Sequence, residues 1–296
     1  MNLKGNGIVN MLIATLCLAT MGALTKKLGQ RFPSVELVFF RNLIGTVILG
    51  VSFYANPVRQ QGGKFGMLAF RGFIGTMSLF AFFYCLTKLN LAIANTYNLT
   101  YPIFIGLISG FVLLKPLKKV QWLGIGLGFA GILLIFRPDL SFPVKFHVLG
   151  LFSGFGTSLG YLSINHLHEY YDRRVIVLSF LLTGLTVSVI SMLVGLYYQN
   201  PELDFVLAPF VHPMGREWAL ILAMGSIALL GQTFITRAFS FGKPSVVGPI
   251  NYMQIVFAMG FGVLLGDFFP DLLSMAGMAL IISSGVLMTI YSTKMD

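Results

Sequence analysis

Ten long apolar stretches run through this chain of 296 residues and constrain its fold more than any other feature. A helix needs roughly 20 apolar residues to cross the hydrocarbon core of a bilayer, and each stretch has about that length. Open sheet edges are excluded from lipid, and continuous apolar runs differ from the alternating strands of a barrel. We therefore predict an all-α polytopic membrane protein with ten transmembrane helices. The predicted spans are 8–25, 34–54, 65–87, 92–114, 120–136, 148–166, 175–198, 217–239, 245–266 and 270–292.

The composition supports a membrane protein and excludes several other classes. Only 10% of the residues are charged and 56% are apolar, whereas a soluble domain carries about 25% charged residues. The apolar excess excludes a disordered chain, and two cysteines, Cys17 and Cys85, are too few for a disulfide scaffold. The link from Gln199 to Arg216 is too short for a soluble catalytic module. We expect neither a metal nor another cofactor.

The net charge of +10 comes from 20 Lys and Arg residues that are scattered between the apolar runs. Such scattered cations act as topology signals rather than as a nucleic-acid surface, so we expect no nucleic-acid partner. With both termini on the cytosolic side, twelve cations fall in cytosolic loops and seven in external ones. We expect a multi-pass protein of the bacterial inner membrane, surrounded by membrane lipids, and this bias predicts that both of its termini are cytosolic.

The two halves of the chain resemble each other. The segment from Gly110 to Lys115 aligns with the segment from Gly262 to Asp267 at a shift of 152 residues, and the helices that follow align at a shift of 154. Each half holds five predicted spans, an odd number, so the second copy enters the membrane from the opposite side. We predict an inverted repeat of two five-helix bundles, residues 1–139 and 140–296, which suits alternating access. A duplication kept only for packing is the alternative.

Several segments resemble the EamA domain of the drug/metabolite transporter superfamily. The resemblance rests on the order and duplication of the segments Arg71–Tyr84, Leu89–Asn95, Tyr101-Pro102 with Leu113, and Phe40–Asn42. It implies ten helices, a central cavity between two bundles, and transport of small organic solutes. Lys115 departs from the family, in which a Glu usually follows the fourth helix, while Asp267 keeps an acid at the matching place in the second half.

Arg41 lies about two turns into the second predicted span. A charge at that depth costs at least ~2.5 kcal/mol unless it faces protein or water. Arg41 either extends to the headgroups or pairs with Glu36, or it attracts an anionic group of a substrate. Arg71 and Arg237 lie within two turns of a cytosolic end, and we expect both to reach the headgroups as anchors.

Polar residues in the fourth and ninth spans are further candidates for a binding site. Asn95, Asn98 and Tyr101 are spaced i, i+3, i+6, and Asn251 and Gln254 are spaced i, i+3. They either line a common cavity, which we favour, or bind one another between helices. Additional candidates for substrate binding are Tyr84, Tyr161, Asn165, Gln232 and Tyr252.

Two motifs that suggest enzyme chemistry have simpler explanations. Gly126 to Gly131 matches the pattern G-x-G-x-x-G but lies within a span rather than after a strand, so it predicts close helix packing. The glycines of the sixth span, residues 150–160, predict the same. His166, His168 and Asp172 cluster at a span end among charged neighbours, which favours a solvated turn over a metal or catalytic site.

These features together predict an alternating-access transporter of a small polar metabolite, such as an amino acid or another carboxylate-bearing solute. Carriers coupled to protons or sodium usually hold a carboxylate or His deep in the membrane. Every acid here lies in a loop or near a span end, which favours a uniporter or exchanger, with export as one direction open to it. The main alternative is an integral-membrane enzyme acting on lipid-linked substrates. We expect a monomer or a homodimer.

Overall fold

The computed structural model describes residues 7–55, 62–112, 119–136, 143–167, 169–198, 200–241 and 250–292. Within these ranges the chain forms eleven α-helices, a short 3-10 turn at Pro201–Leu203, and no β-strand. The helices are α1 (Gly7–Leu28), α2 (Ser34–Ala55), α3 (Phe65–Lys88), α4 (Leu91–Asn98), α5 (Tyr101–Phe111), α6 (Lys119–Phe136), α7 (Val144–Leu167), α8 (Arg173–Tyr197), α9 (Glu217–Phe241), α10 (Met253–Leu264) and α11 (Leu272–Ser292). The predicted all-α fold is confirmed.

The helices have the length and the surface of membrane-spanning segments. In the described residues, six helical stretches of at least 18 residues are apolar enough to cross a bilayer, and three shorter apolar helices accompany them. Large side chains such as Val51, Leu193 and Leu264 are between 55% and 81% exposed, which suits contact with acyl chains. Each predicted span contains an observed helix, so the chain is a multi-pass membrane protein.

The fourth predicted span is two helices rather than one. α4 ends at Asn98 and α5 begins at Tyr101, with Leu99 and Thr100 in a turn between them. Pro102 explains this break, because proline has no N–H to donate to the preceding turn and is favoured at the start of a helix. The predicted span over residues 92–114 is therefore helical but consists of two helices, and its last two residues lie outside the described residues.

A turn also lies directly before α10, at the equivalent place in the second half, and residues 242–249 before it lie outside the described residues. Asn251 and Tyr252 form a turn directly before α10. They lie 152 residues after Leu99 and Thr100, which is the shift that aligns the two halves. Interrupted helices at corresponding positions of two halves are typical of binding sites in transporters. The two turns therefore mark the region in which a substrate site is expected.

Helices from the two halves of the chain pack on each other in pairs. α1 packs on α9 and α3 packs on α7, while α2 packs on α8, α4 on α10 and α6 on α11. The main hydrophobic core accordingly contains residues of both halves, such as Phe83 of α3 and Met224 of α9. Most of the helix packing thus joins the two halves rather than the helices within one half.

Glycines on α7 let neighbouring helices approach closely. A Cβ at Gly150 would lie 2.7 Å from the ring of Tyr97, and one at Gly156 would lie 2.8 Å from the Cβ of Ser78. Carbon atoms in contact stay about 3.5 Å or more apart, so a side chain at either position would push its neighbour away. The packing role predicted for these glycines is confirmed.

The bundle has a proximal end, where α1 begins, and a distal end, where α1 finishes. At the distal end, Lys26 of α1 forms an ion pair with Asp267 in the link between α10 and α11. The other carboxylate oxygen of Asp267 accepts the N–H of Leu91 at 3.0 Å, which ties the same acid to the start of α4. Asn90 donates to the carbonyl of Phe268 at 2.8 Å. We call these contacts the distal latch, because they join α1, α4 and α10 at this end.

Candidate functional site

A small cleft, with room for about one water molecule in this conformation, lies between α2, α8 and α9. Its lining is mostly apolar and includes two of the polar residues predicted from the sequence, Arg41 and Gln232. A mostly apolar pocket with a few placed polar groups is typical of small-molecule sites. We call it the arginine cleft, and its lining residues are Arg41, Gly45, Val177, Phe180, Leu181, Gly225, Ala228, Leu229 and Gln232.

Arg41 is buried in this cleft without an acidic partner among the described residues. It is 7% exposed, one Nη donates to Oδ1 of Asn42 at 3.0 Å, and the Nε has no hydrogen-bond partner. The predicted alternative of a pair with Glu36 does not form, because Oε2 of Glu36 accepts the N–H of Val211 at 2.9 Å. Arg41 therefore presents a desolvated guanidinium to the cleft, and most of its N–H donors are unused.

Arg71 on α3 is a second buried arginine, and its predicted role as an anchor is wrong. The residue is 9% exposed, and its guanidinium lies over Gly75, one turn farther from the proximal end. A Cβ at Gly75 would collide with an Nη of Arg71, and a Cβ at Gly160 would lie 3.5 Å from its Cζ. These two glycines provide the space that the guanidinium fills. The Nε of Arg71 also has no partner in the described part of the chain.

Both guanidiniums lie against the ring of Phe180 on α8. The Cζ of Arg41 is 5.6 Å and the Cζ of Arg71 is 4.9 Å from the ring centroid. A cation–π contact contributes roughly 0.5–2 kcal/mol, which is less than the ~2.5 kcal/mol or more that a charge costs near the centre of a membrane helix. The two like charges also repel each other. The ring therefore offsets only part of the cost of burying the two arginines.

A row of aromatic and polar side chains connects Arg71 to the two helix breaks. Tyr161 of α7 lies close to Arg71, and its ring packs edge-on against the ring of Tyr101, with 5.0 Å between centroids. The Nδ2 of Asn251 donates to the hydroxyl of Tyr101 at 3.3 Å. The Oδ1 of Asn251 is buried and has no partner among the described residues. Polar groups of both halves thus meet beside the arginines.

Other predicted site residues hold α4 against α10. The Nε2 of Gln254 donates to Oδ1 of Asn95 at 2.6 Å, and the hydroxyl of Tyr252 donates to the carbonyl of Leu99 at 3.3 Å. Asn95, Gln254 and Tyr252 are each no more than 4% exposed. These contacts match the interhelical bonding considered as the alternative to a cavity lining. A role for these residues in substrate binding stays a prediction.

Three predicted residues do not join this group. Tyr84 lies at the distal end, where its hydroxyl donates to a carboxylate oxygen of Asp204 at 2.8 Å. Asn98 faces α7 and donates to the hydroxyl of Thr157 at 3.2 Å. Asn165 belongs to α7, but its side chain lies outside the described residues.

The polar turn predicted between α7 and α8 contains the residue that caps the start of α8. The carboxylate of Asp172 accepts the N–H of Arg174 at 2.8 Å and caps α8, whereas His168 lies outside the described residues. Where the structure describes the chain, no three His, Cys, Asp or Glu side chains are grouped so that they could hold a metal ion.

Known proteins are similar to this chain in sequence, and a solved structure is similar to it in fold. The model of the EamA-like transporter family matches residues 5–137. An uncharacterized transporter of Helicobacter pylori is 34% identical, over 96% of this chain and 94% of its own. The pseudopaline exporter CntI of Pseudomonas aeruginosa is 31% identical over 95% of both chains. A crystal structure with 19% sequence identity has the same fold, with a TM-score of 0.64 over 98% of both chains.

Proposed function

The chain belongs to the EamA-like transporter family and is a membrane transporter rather than an enzyme, and from this premise we propose which solute it moves. The proposed substrate is a small organic solute that bears a carboxylate and crosses the membrane by alternating access. Its carboxylate binds Arg41 in the arginine cleft, and Gln232 contacts the remainder of the solute. The likeness to a pseudopaline exporter supports export as the physiological direction.

One observation carries the proposal: the buried guanidinium of Arg41 faces a cleft and has no acidic partner among the described residues. Hydrogen bonds between a guanidinium and a carboxylate are charge-assisted and often bidentate. A buried charge without a partner is costly, so a ligand carboxylate removes a cost that the free protein bears. The cleft therefore suits an acidic group better than an amine or a neutral group.

The helix pairing supports alternating access. When residues 1–139 and 140–296 are exchanged as inverted repeats, the α1–α9 pair maps onto the α7–α3 pair. The α2–α8, α4–α10 and α6–α11 pairs map onto themselves. The two helix breaks also correspond. In the proposed orientation the proximal end and both termini face the cytosol of a bacterium, so the distal latch closes the site from the outside.

Purified protein in liposomes tests the proposal. The probes are labelled lactate, alanine and glutarate, each compared with its fully amidated form. We expect uptake of at least one acid, little uptake of its amide, and thermal stabilisation of the protein by the same acid, because a ligand that binds only the folded state raises its stability. If all acids fail in both assays, or if acids and amides behave alike, the proposed carboxylate site is wrong.

We expect exchange to be several times faster than net uptake. An occluded empty site would hold the Arg41 guanidinium without water or counter-charge, whereas a filled site would pair it with the carboxylate of the substrate, so the empty carrier reorients slowly. Unlabelled solute inside the liposomes should accelerate uptake of labelled solute, and an imposed pH or sodium gradient should add nothing at clamped potential.

Concentrative uptake driven by a pH or sodium gradient would contradict an uncoupled exchanger. If a proton gradient drove uptake, His147 would be the candidate for the group that binds the proton. It is buried near the start of α7, with its Nδ1 2.6 Å from the hydroxyl of Tyr97. That pair lies near the distal end and outside the lining of the arginine cleft.

The distal latch gives a separate prediction about closure. Asp267→Asn removes the ion pair with Lys26. The side chain of Asp267 is 11% exposed and that of Lys26 is 19% exposed, so the pair is largely shielded from solvent. Without it, the distal end should open more often. Cys85 is buried close to the distal end of α3, so its reaction with a membrane-impermeant thiol reagent reports opening. In a Cys17→Ser background we expect labelling about three- to tenfold faster, which corresponds to ~0.7–1.4 kcal/mol.

The control for this experiment is Glu202→Gln, since Glu202 is an exposed acid at the same end of the protein, in the link between α8 and α9. This variant should label at the wild-type rate. Equal rates for both variants and the wild type would show that the Lys26–Asp267 pair does not hold the distal end closed.

A further inference from the structure

We propose that the arginine cleft, together with Arg71, which contacts the same Phe180 ring but does not line the cleft, takes a solute with two carboxylates, one bound by Arg41 and the other by Arg71. This inference rests on the proposed function and extends it from one acidic group to two. It makes Arg71, which was absent from the residues predicted for the site, the residue that determines specificity for a dianion.

The charges of the two buried arginines favour a dianionic solute. Arg41 and Arg71 are both buried, both have an Nε without a partner, and neither forms an ion pair with an acid in the described chain. The described ion pairs use Asp267, Glu217 and Asp204 at the distal end and Asp172 at the start of α8. A monocarboxylate would neutralise one of the two guanidiniums, whereas a dicarboxylate neutralises both.

The Arg71 side chain extends toward the interior of the bundle. Arg71 starts about two turns from the proximal end of α3, so an arginine that served only as an anchor would extend back to the headgroups. Its guanidinium instead lies over Gly75, one turn deeper, and beside Gly160. The buried position provides no acid among the described residues, and an anionic ligand that extends from the cleft past Phe180 to Arg71 supplies the missing partner.

The two guanidiniums lie close to each other, on one shared aromatic ring. Both Cζ atoms lie within 5.6 Å of the centroid of the same Phe180 ring. The two acidic groups of the ligand must therefore be joined by a short link, and Phe180 and Leu181 offer an apolar surface for it. A short aliphatic dicarboxylate fits these requirements. One phosphate group shared by both arginines would satisfy the charge but would leave no use for the apolar surface between them.

The test compares dicarboxylates with their monoamides. The probes are succinate, glutarate and adipate, each beside the monoamide of the same length, and glycerol phosphate as a single dianionic group. Affinity is measured from thermal stabilisation, and transport from exchange in liposomes. For the wild type we expect at least one dicarboxylate to bind at least tenfold more tightly than its monoamide, and more tightly than glycerol phosphate.

Substitutions of Arg71 then test whether this residue binds the second carboxylate. Arg71→Gln should reduce the ratio of dicarboxylate to monoamide affinity to about one while changing the affinity for the monoamide less than threefold. Arg71→Lys keeps a positive charge and should retain part of the ratio, which provides a measurement if Arg71→Gln folds poorly. Arg237→Gln is the matched control, because Arg237 is an exposed arginine on α9, and it should keep the full ratio.

The outcomes separate this inference from the proposed function. Monoamides that bind and exchange as well as dicarboxylates in the wild type would overturn the second carboxylate and leave the Arg41 site intact. An unchanged ratio in both Arg71 variants would overturn the assignment to Arg71. Tighter binding of glycerol phosphate would replace two carboxylates with one shared anion. If no acid of any kind binds, the proposed function itself fails.

Discussion

Arg41→Gln should weaken binding of glutarate by about 10- to 100-fold and leave the empty protein at least as stable as the wild type. The loss of affinity follows because a hydrogen bond to a charged group contributes about 1.5–3 kcal/mol, and each 1.4 kcal/mol is about tenfold. Stability should not fall, because glutamine removes a buried charge that has no acidic partner in the described residues. Both quantities come from thermal unfolding with and without glutarate.

Two variants make this result specific. Arg41→Lys keeps the charge but loses the planar group that binds a carboxylate through two hydrogen bonds, so its affinity should be intermediate. Arg237→Gln removes an exposed arginine, whose Cζ lies 5.7 Å from the ring centroid of Phe234, and should leave affinity unchanged. A lower melting temperature together with unchanged discrimination between glutarate and its diamide would make Arg41 a structural residue and remove it from the site.

The number and type of the membrane spans follow from the sequence because lipid leaves the backbone few choices. A segment without water must satisfy its own N–H and C=O groups, and a helix is the solution open to a single apolar stretch. The break at Leu99 and Thr100 was missed because hydropathy hardly changes across it. Pro102 was the local signal, since a proline disfavours helical geometry in the residue before it and often marks a boundary.

The site was predicted only in part, and the two arginines show why. Arg41 could be identified as a site residue from the sequence, because at its depth in the span a charge without a partner is costly in every side-chain rotamer. Arg71 lies near a span end, so its position alone allows the side chain to turn outward or inward. The direction depends on the space above Gly75 and beside Gly160, and Gly160 belongs to another helix. That neighbour is known only once α3 and α7 are placed side by side.

The amides of α4 and α10 show a related limit. A polar group on the inner side of a span can face a cavity or another polar group, and both arrangements have the same spacing in sequence. Gln254 binds Asn95 directly at 2.6 Å, whereas the Oδ1 of Asn251 has no partner among the described residues. Asn251 is therefore a stronger candidate for contact with a substrate than Asn95, although the sequence ranks them alike.

Gly131→Ala should lower the melting temperature by several degrees, whereas Gly126→Ala on the same helix should not. A Cβ at Gly131 would lie 2.7 Å from the carbonyl oxygen of Gly277 and 3.1 Å from the backbone nitrogen of Ile281, both on α11. Backbone atoms have no alternative rotamer, so α6 and α11 must separate, and overpacking of this kind costs about 1–3 kcal/mol. A Cβ at Gly126 would meet nothing within 4 Å, and alanine favours a helix by up to ~1 kcal/mol.

Gly285 is the counterpart of Gly131 in the second half, 154 residues later, and its variant separates packing from transport. A Cβ at Gly285 would collide with the hydroxyl of Tyr252, which donates to the carbonyl of Leu99 in the α4–α5 turn. Because a side chain can move where a backbone cannot, Gly285→Ala should fold but displace Tyr252, and exchange should fall more than stability.

Equal melting temperatures for the Gly131 and Gly126 variants would contradict tight packing of α6 on α11. Wild-type exchange in Gly285→Ala would mean that the contact of Tyr252 with Leu99 is not needed for transport.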